Sequence, residues 1–268
     1  MDSRAALQSG DVRLALDLLK ADVRRAPRDA RLRTYLFQLF CITGEWDRAL
    51  AQLAVAGELD PAASHMVQTY ELAIRCEVLR AKVYAGQRTP TIIGEPGEWL
   101  PLLVEALRLL ATGQPAQAAR LRDAAFDAAP ATPAIHDGQP AEWIADADPR
   151  LGPVVEAVLD GRYVWIPFTR IRSIRIEPPA DLRDQVWMPA EFTWENDGKA
   201  VGLIPTRYPG TTAAADPALL LARRTEWVEQ DDWSIPIGQR VLVTDASEVA
   251  LMDLRQLDLQ PGLLATAA

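Results

Sequence analysis

The chain has 268 residues, which is longer than a usual single domain and leads us to expect one large domain or two modest ones. Its formal net charge is −9, and no block of Lys and Arg interleaved with aromatic residues occurs, which argues against nucleic-acid binding because an acidic surface repels a phosphate backbone. No apolar run approaches the roughly 20 residues that span a bilayer, and the first residues lack an apolar signal segment, so we expect a cytoplasmic protein without membrane insertion.

The first predicted elements are helices that belong to an internal repeat. Three segments share a glycine, an alanine five places later and a proline seventeen places after the glycine. The glycines are separated by 34 residues (44 − 10) and 69 residues (113 − 44). A period near 34 is typical of tetratricopeptide-like pairs of helices. The equivalent positions are Gly10, Ala15 and Pro27, then Gly44, Ala49 and Pro61, then Gly113, Ala118 and Pro130.

Each position of the repeat has a physical role. The glycine lies at the turn between two helices, where a residue without Cβ accepts a positive φ, the alanine permits close packing, and the proline ends the unit. Asp11, Asp29 and Ser64 are expected to cap helix starts. Residues 64–86 keep a long helical pattern without the turn, and residues 86–99 after them are interpreted as a loop.

A short helical array presents a concave surface that can hold a peptide or a helix of another protein, although it can also serve only to support the second half. We therefore predict partner-binding residues among the aromatic side chains of this half. These residues are Tyr35, Phe37, Trp46, Tyr70 and Trp99.

The two cysteines and two histidines do not suggest a metal, cofactor or catalytic site. Cys41 and Cys76 lack the spacing of a zinc site or a disulfide framework, so we interpret them as small buried hydrophobic residues of the helical units. His65 and His136 are isolated, which leaves little from which to build a metal site or a Ser/His/Asp triad.

The second half begins after a Pro-, Gly- and Ala-rich connection over 130–141. This connection marks the expected boundary between two domains, 1–135 and 136–268. The segment 146–161 is interpreted as a short helix that Asp148 caps.

The hydrophobic pattern then changes from a period of 3.6 to a period of 2, in residues rich in Ile, Val, Thr and Trp, as is typical of strands. Asn196, Asp197 and Gly198 indicate a hairpin turn, since these residue types accept a positive φ. A further helix is expected after Asp216, and the six tryptophans of this half are expected mostly in the core. The predicted strand segments are 163–168, 170–177, 191–208, 225–228, 239–245 and 248–259.

These elements predict a multi-domain fold of class α and α+β. A tetratricopeptide-like array of helical hairpins is followed by a mainly antiparallel, β-rich α+β domain. Such a fold does not by itself give the function.

The second half carries the motifs "PFTRI", "LRDQVW", "IPTRYPG" and "TEW" in this order behind the helical repeats. In this arrangement the chain resembles the ImpE/SciE/TagJ family of type VI secretion accessory proteins over nearly its whole length. The resemblance implies a two-domain cytoplasmic adaptor without enzymatic activity or catalytic residues. It also implies binding to the N-terminal helix of the small subunit of the contractile sheath, and through it a link to the AAA+ ATPase that disassembles contracted sheath.

Arg170, Arg172 and Arg175 stand close together in a strand whose alternation is interrupted at Ser173. Such an interruption predicts a β-bulge that redirects Arg175 relative to the first two arginines. We expect the arginines to pair with neighbouring carboxylates or else to contact the partner. Arg170, Arg172 and Arg207 complete the predicted partner-binding residues. The expected carboxylates are Glu177, Asp181 and Asp184.

Two other functions stay open from the residues. Pairs of carboxylates in the second half are best explained by caps, turns and solvated edges, but a carboxylate-based enzyme site there is an alternative to the adaptor. A self-assembling structural scaffold is a third hypothesis. The pairs are Asp146/Asp148, Asp181/Asp184 and Asp231/Asp232, and the alternative enzyme site comprises Asp148, Asp181, Asp184 and Arg207.

Overall fold

The computed structural model describes residues 2–259, and its first part is helical. Among these residues, no helix is both long enough and apolar enough to cross a membrane. The helices are α1 (Ser3–Gln8), α2 (Val12–Arg25), α3 (Ala30–Thr43), α4 (Trp46–Leu59), α5 (Ser64–Tyr84), α6 (Trp99–Ala111), α7 (Pro115–Ala128) and α8 (Pro217–Leu220).

The helices α1 to α7 form the predicted array. Gly10, Gly44 and Gly113 lie at the turns of the pairs α1–α2, α3–α4 and α6–α7, with φ values of 89°, 72° and 78° in the left-handed region that favours glycine. The alanines five residues later are fully buried, so the paired helices approach closely. Asp11 and Asp29 accept backbone N–H groups of the first turns of α2 and α3. The repeat and these two caps are therefore confirmed.

The helix α5 interrupts the array, as predicted, because it continues for 21 residues without a turn. Its start differs from the prediction, since Ser64 is the first helical residue and not the cap. Asp60 instead caps a short 3-10 helix, Pro61–Ala63, that leads into α5. The loop after α5 contains a short strand, β1 (Thr91–Ile92), which the sequence analysis missed.

The rest of the described chain consists mostly of strands. These strands and their mostly antiparallel pairing confirm the prediction of a β-rich α+β domain. The strands after β1 are β2 (Ala134–His136), β3 (Gln139–Ala141), β4 (Ile144–Asp146), β5 (Val154–Leu159), β6 (Arg162–Pro167), β7 (Ile171–Ile176), β8 (Trp187–Trp194), β9 (Lys199–Pro205), β10 (Thr225–Gln230), β11 (Trp233–Gly238), β12 (Val241–Thr244), β13 (Glu248–Ala250) and β14 (Gln256–Leu259).

The strands form one large sheet and two small ones. The large sheet has nine strands in the order β1-β6-β5-β9-β8-β7-β14-β2-β3, and β1 pairs with β6 in the parallel direction. The strands β13, β12 and β4 form a three-stranded sheet, and β10 with β11 forms a separate hairpin. The predicted turn at Asn196 to Gly198 connects β8 to β9, with Asp197 at φ 63°.

The segment 146–161 was predicted as a helix, and this prediction is wrong. Its second part is the strand β5, which lies between β6 and β9, and every residue of β5 is buried. A central strand with helices on one face and a second core on the other is apolar on both faces, so it lacks the alternation that identifies a half-exposed strand. Asp148 accepts the Arg150 N–H in a turn and caps no helix.

One further strand prediction needs adjustment, and another is confirmed. The predicted segment 248–259 is two strands, β13 and β14, which pair with different sheets. The predicted bulge in β7 is confirmed, because Ile171 pairs with Trp194 and Ser173 pairs with the adjacent Thr193, which leaves Arg172 as the extra residue.

The large sheet separates two hydrophobic cores because successive side chains of a strand point to opposite faces. In β6, Tyr163 and Trp165 pack with the helices, whereas Val164 and Ile166 pack in the second core. The first core is continuous from the helices into the sheet and includes Trp187 of β8. The helical array and the sheet therefore share a core.

Most of the side chains expected in the core lie there. Cys41 and Cys76 are buried, and burial raises the pKa of the Cys76 thiol to about 11. Three tryptophans of the second half are fully buried, but Trp143 and Trp227 are 37% and 41% exposed. The buried tryptophans are Trp165, Trp187 and Trp233.

Candidate functional site

The helical array and the large sheet meet at a group of aromatic side chains. The centroid of the Tyr70 ring lies 5.8 Å from that of Phe37 and 5.7 Å from that of Trp187. Trp187 in turn lies 6.0 Å from Trp46. Three of the predicted partner-binding residues are thus brought together, but Phe37 and Tyr70 are only 0% and 8% exposed, so their rings hold the junction together from inside.

A cavity of about 300 Å³ lies at the same junction, and Trp46 forms part of its wall. The other walls come from α5 and from the loops that follow β4 and β9. We call this cavity the junction pocket. It is defined by Trp46, Glu77, Arg80, Tyr84, Arg150 and Arg207.

Charged side chains below the junction pocket form a buried ion-pair network. Arg80 donates from Nη2 to Glu156 Oε1 at 2.6 Å and from Nε to Glu156 Oε2 at 2.9 Å. Arg240 bridges Glu156 and Asp146 from the other side. The network comprises Arg80, Asp146, Asp148, Arg150, Glu156 and Arg240, and each of these residues is at most 8% exposed.

The Glu156 carboxylate is stabilised as an ion in this network. Burial alone would raise the pKa of Glu156, but the Arg80 and Arg240 guanidiniums and a hydrogen bond from the Tyr163 hydroxyl outweigh burial and lower this pKa to about 2. Asp148 is likewise held by Arg150, which donates from Nη2 to Asp148 Oδ2 at 2.6 Å. The carboxylates are therefore bound by fixed cations.

The motif "IPTRYPG" connects the sheet to the end of α3. Arg207 donates from Nη1 to the carbonyl of Ile42 at 2.8 Å and from Nη2 to the carbonyl of Cys41 at 3.1 Å. It thereby supplies donors to carbonyls of the last helical turn, where intrahelical partners are lacking. In the same motif, the Tyr208 hydroxyl donates to the carbonyl of Val241. Arg207 was predicted to contact a partner, but the structure buries its side chain in the protein.

The motif "LRDQVW" forms a second connection to the helices. Arg183 lies 4.6 Å from the centroid of the Tyr70 ring, and the indole N–H of Trp187 donates to Glu77 Oε1 at 3.1 Å. Asp181 accepts a hydrogen bond from the side chain of Gln38 on α3. Two of the four motifs that carry the family resemblance thus join the two parts of the molecule.

Three other predicted contact residues lie together at a different place. Trp99 and Arg170 line a second cavity of about 550 Å³. Arg170 pairs with Glu195, and Arg172 pairs with Asp197 in the β8–β9 turn. The expectation of carboxylate partners is met for Arg170 and Arg172, though not by the predicted residues, because the bulge and the hairpin turn place nearer carboxylates beside them. Arg175 forms no ion pair within residues 2–259. The partners that were predicted wrongly are Glu177, Asp181 and Asp184.

Tyr35 lies apart from the other predicted contacts, and the Arg4 guanidinium stacks over its ring at 5.7 Å. The residues of the alternative enzyme site are also divided between different structures. Asp148 belongs to the buried ion-pair network, whereas Asp181 and Asp184 form a capping box at the 3-10 helix Leu182–Gln185. Within residues 2–259, no group of three or more His, Cys, Asp and Glu side chains could hold a metal ion.

The sequence analysis missed the residues of the buried ion-pair network. It explained Asp146 and Asp148 by caps, turns or solvated edges, yet both are buried and bound by arginines. One signal was available, because Glu156 stands inside the apolar run "VVEAVL". A charge in a fully buried strand requires a buried partner. Arg80 and Arg240, the partners, gave no local signal.

A third concave feature is a groove in the helical array that has an apolar floor and a basic rim. It has a volume of about 410 Å³ between α2, α3 and α4. Leu36 and Phe40 form its apolar floor, and cationic groups of Lys20 and Arg48 lie 5.9 Å and 5.6 Å from the centroid of the Phe40 ring. We call it the helical groove. It is defined by Lys20, Arg24, Leu36, Phe40, Arg48, Ala51 and Gln52.

Comparison with known proteins identifies the family. A family model described as ImpE protein matches residues 138–258. The type VI secretion system accessory component TagJ of Pseudomonas aeruginosa is 50% identical over 261 residues, which cover 97% of this chain and 92% of that protein. A Vibrio parahaemolyticus protein of known crystal structure has the same fold, with a TM-score of 0.88 at 24% identity over 98% of this chain and 99% of that one. The chain belongs to the ImpE family of type VI secretion accessory components, to which TagJ also belongs.

Proposed function

We propose that this protein is a non-enzymatic adaptor of a type VI secretion system. In this proposal it binds the N-terminal helix of the small sheath subunit and links the sheath to the AAA+ ATPase that disassembles it. The observation that carries the proposal is the 50% identity to the accessory component TagJ over 97% of the chain. We place the adaptor in the cytoplasm, where such a sheath would be accessible.

The helical groove is the surface that we propose for the partner helix. Leu36 and Phe40 are each only 4% exposed, so an amphipathic helix in the groove would contact their exposed edges together with the exposed Ala51. Acidic side chains of that helix would then meet Lys20, Arg24 and Arg48 at the rim. Charges at a rim mainly fix the orientation and the association rate of a partner, whereas the apolar floor supplies affinity.

The predicted contact residues outside the groove receive different roles in the proposal. Trp46, Arg170 and Arg172 reach the surface and stay candidates for contact with a partner such as the ATPase. Phe37, Tyr70, Trp99 and Arg207 are buried, and we assign them to internal packing. The division into residues 1–135 and 136–268 stays our proposal for the domains, although the segment 130–141 at their boundary contains β2 and β3 of the large sheet.

The lack of enzymatic activity is also part of the proposal. The buried carboxylates of the second half each accept hydrogen bonds from fixed donors, which supports a structural role, and this includes Asp146, whose pKa burial raises to about 6. A thermal-shift screen with divalent metals tests this point, because specific metal binding raises the unfolding midpoint.

The central experiment is a titration of the purified protein with a labelled peptide that spans the N-terminal helix of the cognate small sheath subunit. A peptide with a helix-breaking proline is the first control. We expect saturable binding that the proline abolishes. Absence of binding both to the peptide and to intact sheath would contradict the adaptor, and self-assembly in light scattering would then favour a scaffold.

The groove is tested with a matched pair of variants on α4. Ala51 and Ala54 are both exposed, but only Ala51 lines the helical groove. Ala51→Trp should fill the groove and weaken peptide binding at least roughly tenfold, whereas Ala54→Trp should leave it unchanged. Equal affinity of both variants would exclude the groove while leaving the adaptor function open.

A further inference from the structure

The junction pocket is lined by more positive than negative side chains, and the proposed adaptor function gives these charges no role. Three guanidinium groups, those of Arg80, Arg150 and Arg207, line it together with one carboxylate, that of Glu77. The three arginines are 4% to 8% exposed, so their charges are largely removed from water. Buried charges require partners in the protein or in a ligand.

Two of the three arginines have such partners. Arg80 pairs with Glu77 and Glu156, and Arg150 pairs with Asp148. Arg207 forms no ion pair with any carboxylate among residues 2–259, and its recorded hydrogen bonds go to backbone carbonyls. Burial accordingly lowers the pKa of Arg207 to about 10.

The pocket also contains an unused hydroxyl group. The Tyr84 hydroxyl oxygen is buried and has no hydrogen-bond partner within the described part of the chain. The Tyr84 ring lies beside two of the arginines, 4.7 Å from the Arg150 guanidinium and 5.7 Å from that of Arg80. A buried hydroxyl without a protein partner is uncommon in folded proteins, and a molecule that reached it from the adjacent pocket would supply the missing hydrogen bond.

We propose that the junction pocket binds the carboxylate or phosphate group of a small molecule. Guanidinium groups recognise these planar or tetrahedral oxyanions through paired N–H donors, and the Tyr84 hydroxyl adds a neutral donor. The volume of about 300 Å³ is at the lower end of ligand sites, so the ligand is compact.

Such a ligand would stabilise the junction. The pocket takes its walls from α4 and α5 on one side and from the loops after β4 and β9 on the other, so it is complete only when helices and sheet are docked. A molecule that binds only this docked state raises its stability with the logarithm of the ligand concentration once that concentration exceeds the Kd.

The first test uses the full chain with inorganic phosphate and with succinate as probes, at constant ionic strength maintained with chloride. Thermal-shift and calorimetric titrations should show a raised unfolding midpoint and saturable heat for at least one probe. The probe that binds identifies phosphate or carboxylate as the preferred group. No saturable binding of either probe up to roughly 10 mM would overturn the proposal, because weaker affinity would not be specific.

Two variants then locate the binding. Ala81 is exposed at the pocket mouth, and Ala85, one turn further along the chain, is exposed but does not line the pocket. Ala81→Trp should abolish binding of the probe, and Ala85→Trp should retain it. Binding that survives in Ala81→Trp would place the anion elsewhere and refute the site.

Tyr84→Phe supplies an independent test of the hydroxyl group. Because this hydroxyl has no protein partner, its removal should leave the unfolding midpoint without probe unchanged or slightly raised. Affinity for the probe should fall roughly tenfold, as expected for a lost hydrogen bond to a charged group. Unchanged affinity would contradict a role of Tyr84 in the site.

Discussion

Glu156 is a single charge on which a large part of the buried ion-pair network depends. Its carboxylate accepts hydrogen bonds from Arg80, Tyr163 and Arg240, and none of its surface is exposed. The arginines are buried as well, so they rely on this carboxylate as much as it relies on them. Removal of one partner from such a group leaves uncompensated charge in the interior.

We predict that Glu156→Gln lowers the free energy of unfolding by about 3 kcal/mol at neutral pH, as is typical for a broken buried ion pair. The difference should depend on pH. Because the pKa of Glu156 is lowered in the folded protein from 4.5 to about 2, its contribution is complete above pH 4.5 and is lost as the pH falls toward 2. Urea unfolding of the wild type and of Glu156→Gln between neutral and acidic pH measures how the stability difference depends on pH.

The control for this prediction is Glu191→Gln, which removes an exposed carboxylate paired with Lys199. An exposed pair contributes little because water and salt screen it, so the control should stay close to the wild type. If both variants lost the same small amount of stability, the buried ion-pair network would not be the stabilising unit that its geometry indicates.

The turn between α3 and α4 lies close to the sheet domain. Of the three glycines of the repeat, Gly44 in this turn has the least space for an added side chain. A Cβ added at Gly44 would lie 2.8 Å from the Cβ of Thr212, which belongs to the loop after β9. Gly113 occupies the same position of the repeat with a similar positive φ, but nothing lies within 4 Å of its added Cβ. Substitutions at the two glycines therefore distinguish two contributions to the free energy of unfolding. Both strain the backbone, but only the change at Gly44 also creates a steric clash.

We predict that Gly113→Ala destabilises the protein by about 1 kcal/mol, the usual cost of a side chain in the left-handed region. Gly44→Ala should cost roughly 1 to 2 kcal/mol more, because its methyl group also displaces Thr212. Chemical denaturation of the two variants gives the comparison. The additional change Thr212→Gly should recover most of the excess in the Gly44 variant, and failure to recover it would show that the contact is not responsible.

An element could be predicted from the sequence only where its structure requires particular residue types or a regular pattern. The repeat of the helices was visible because glycine and alanine are required at the turns and contacts of every unit. The bulge at Arg172 was visible because it breaks a strict alternation. The strand β5 was not visible, since burial on both faces removes the alternation, and the two-residue strand β1 is too short to carry a pattern.

The site was less predictable than the fold because its residues come from distant positions. Trp46 and Arg207 were selected as partner contacts, and the structure does place both in the wall of one pocket. Their neighbours Arg80 and Arg150 were not selected, since an arginine near a helix end or a turn looks the same in a sequence whether it is buried or exposed. Only Glu156, a charge in an apolar run, carried a local signal.

For the whole molecule, the important feature is the core that passes from the helices into the sheet. Tyr70 of the array packs against Phe37 and against Trp187 of the sheet, and Arg207 binds the end of α3. Two domains joined only by a linker would lack such contacts and would unfold separately. Here the loss of either part would expose the apolar surface of the other.

We therefore predict that residues 1–135 and 136–268 unfold in one cooperative transition. Far-ultraviolet circular dichroism reports mainly on the helices, and tryptophan fluorescence reports mainly on the second half, which holds six of the eight tryptophans. The two signals should change at the same urea concentration, and Trp187→Leu should lower both midpoints equally, because it weakens the shared core. Two separate midpoints, or a shift of the fluorescence midpoint alone, would show that the parts are stable independently and that the junction contributes little to either.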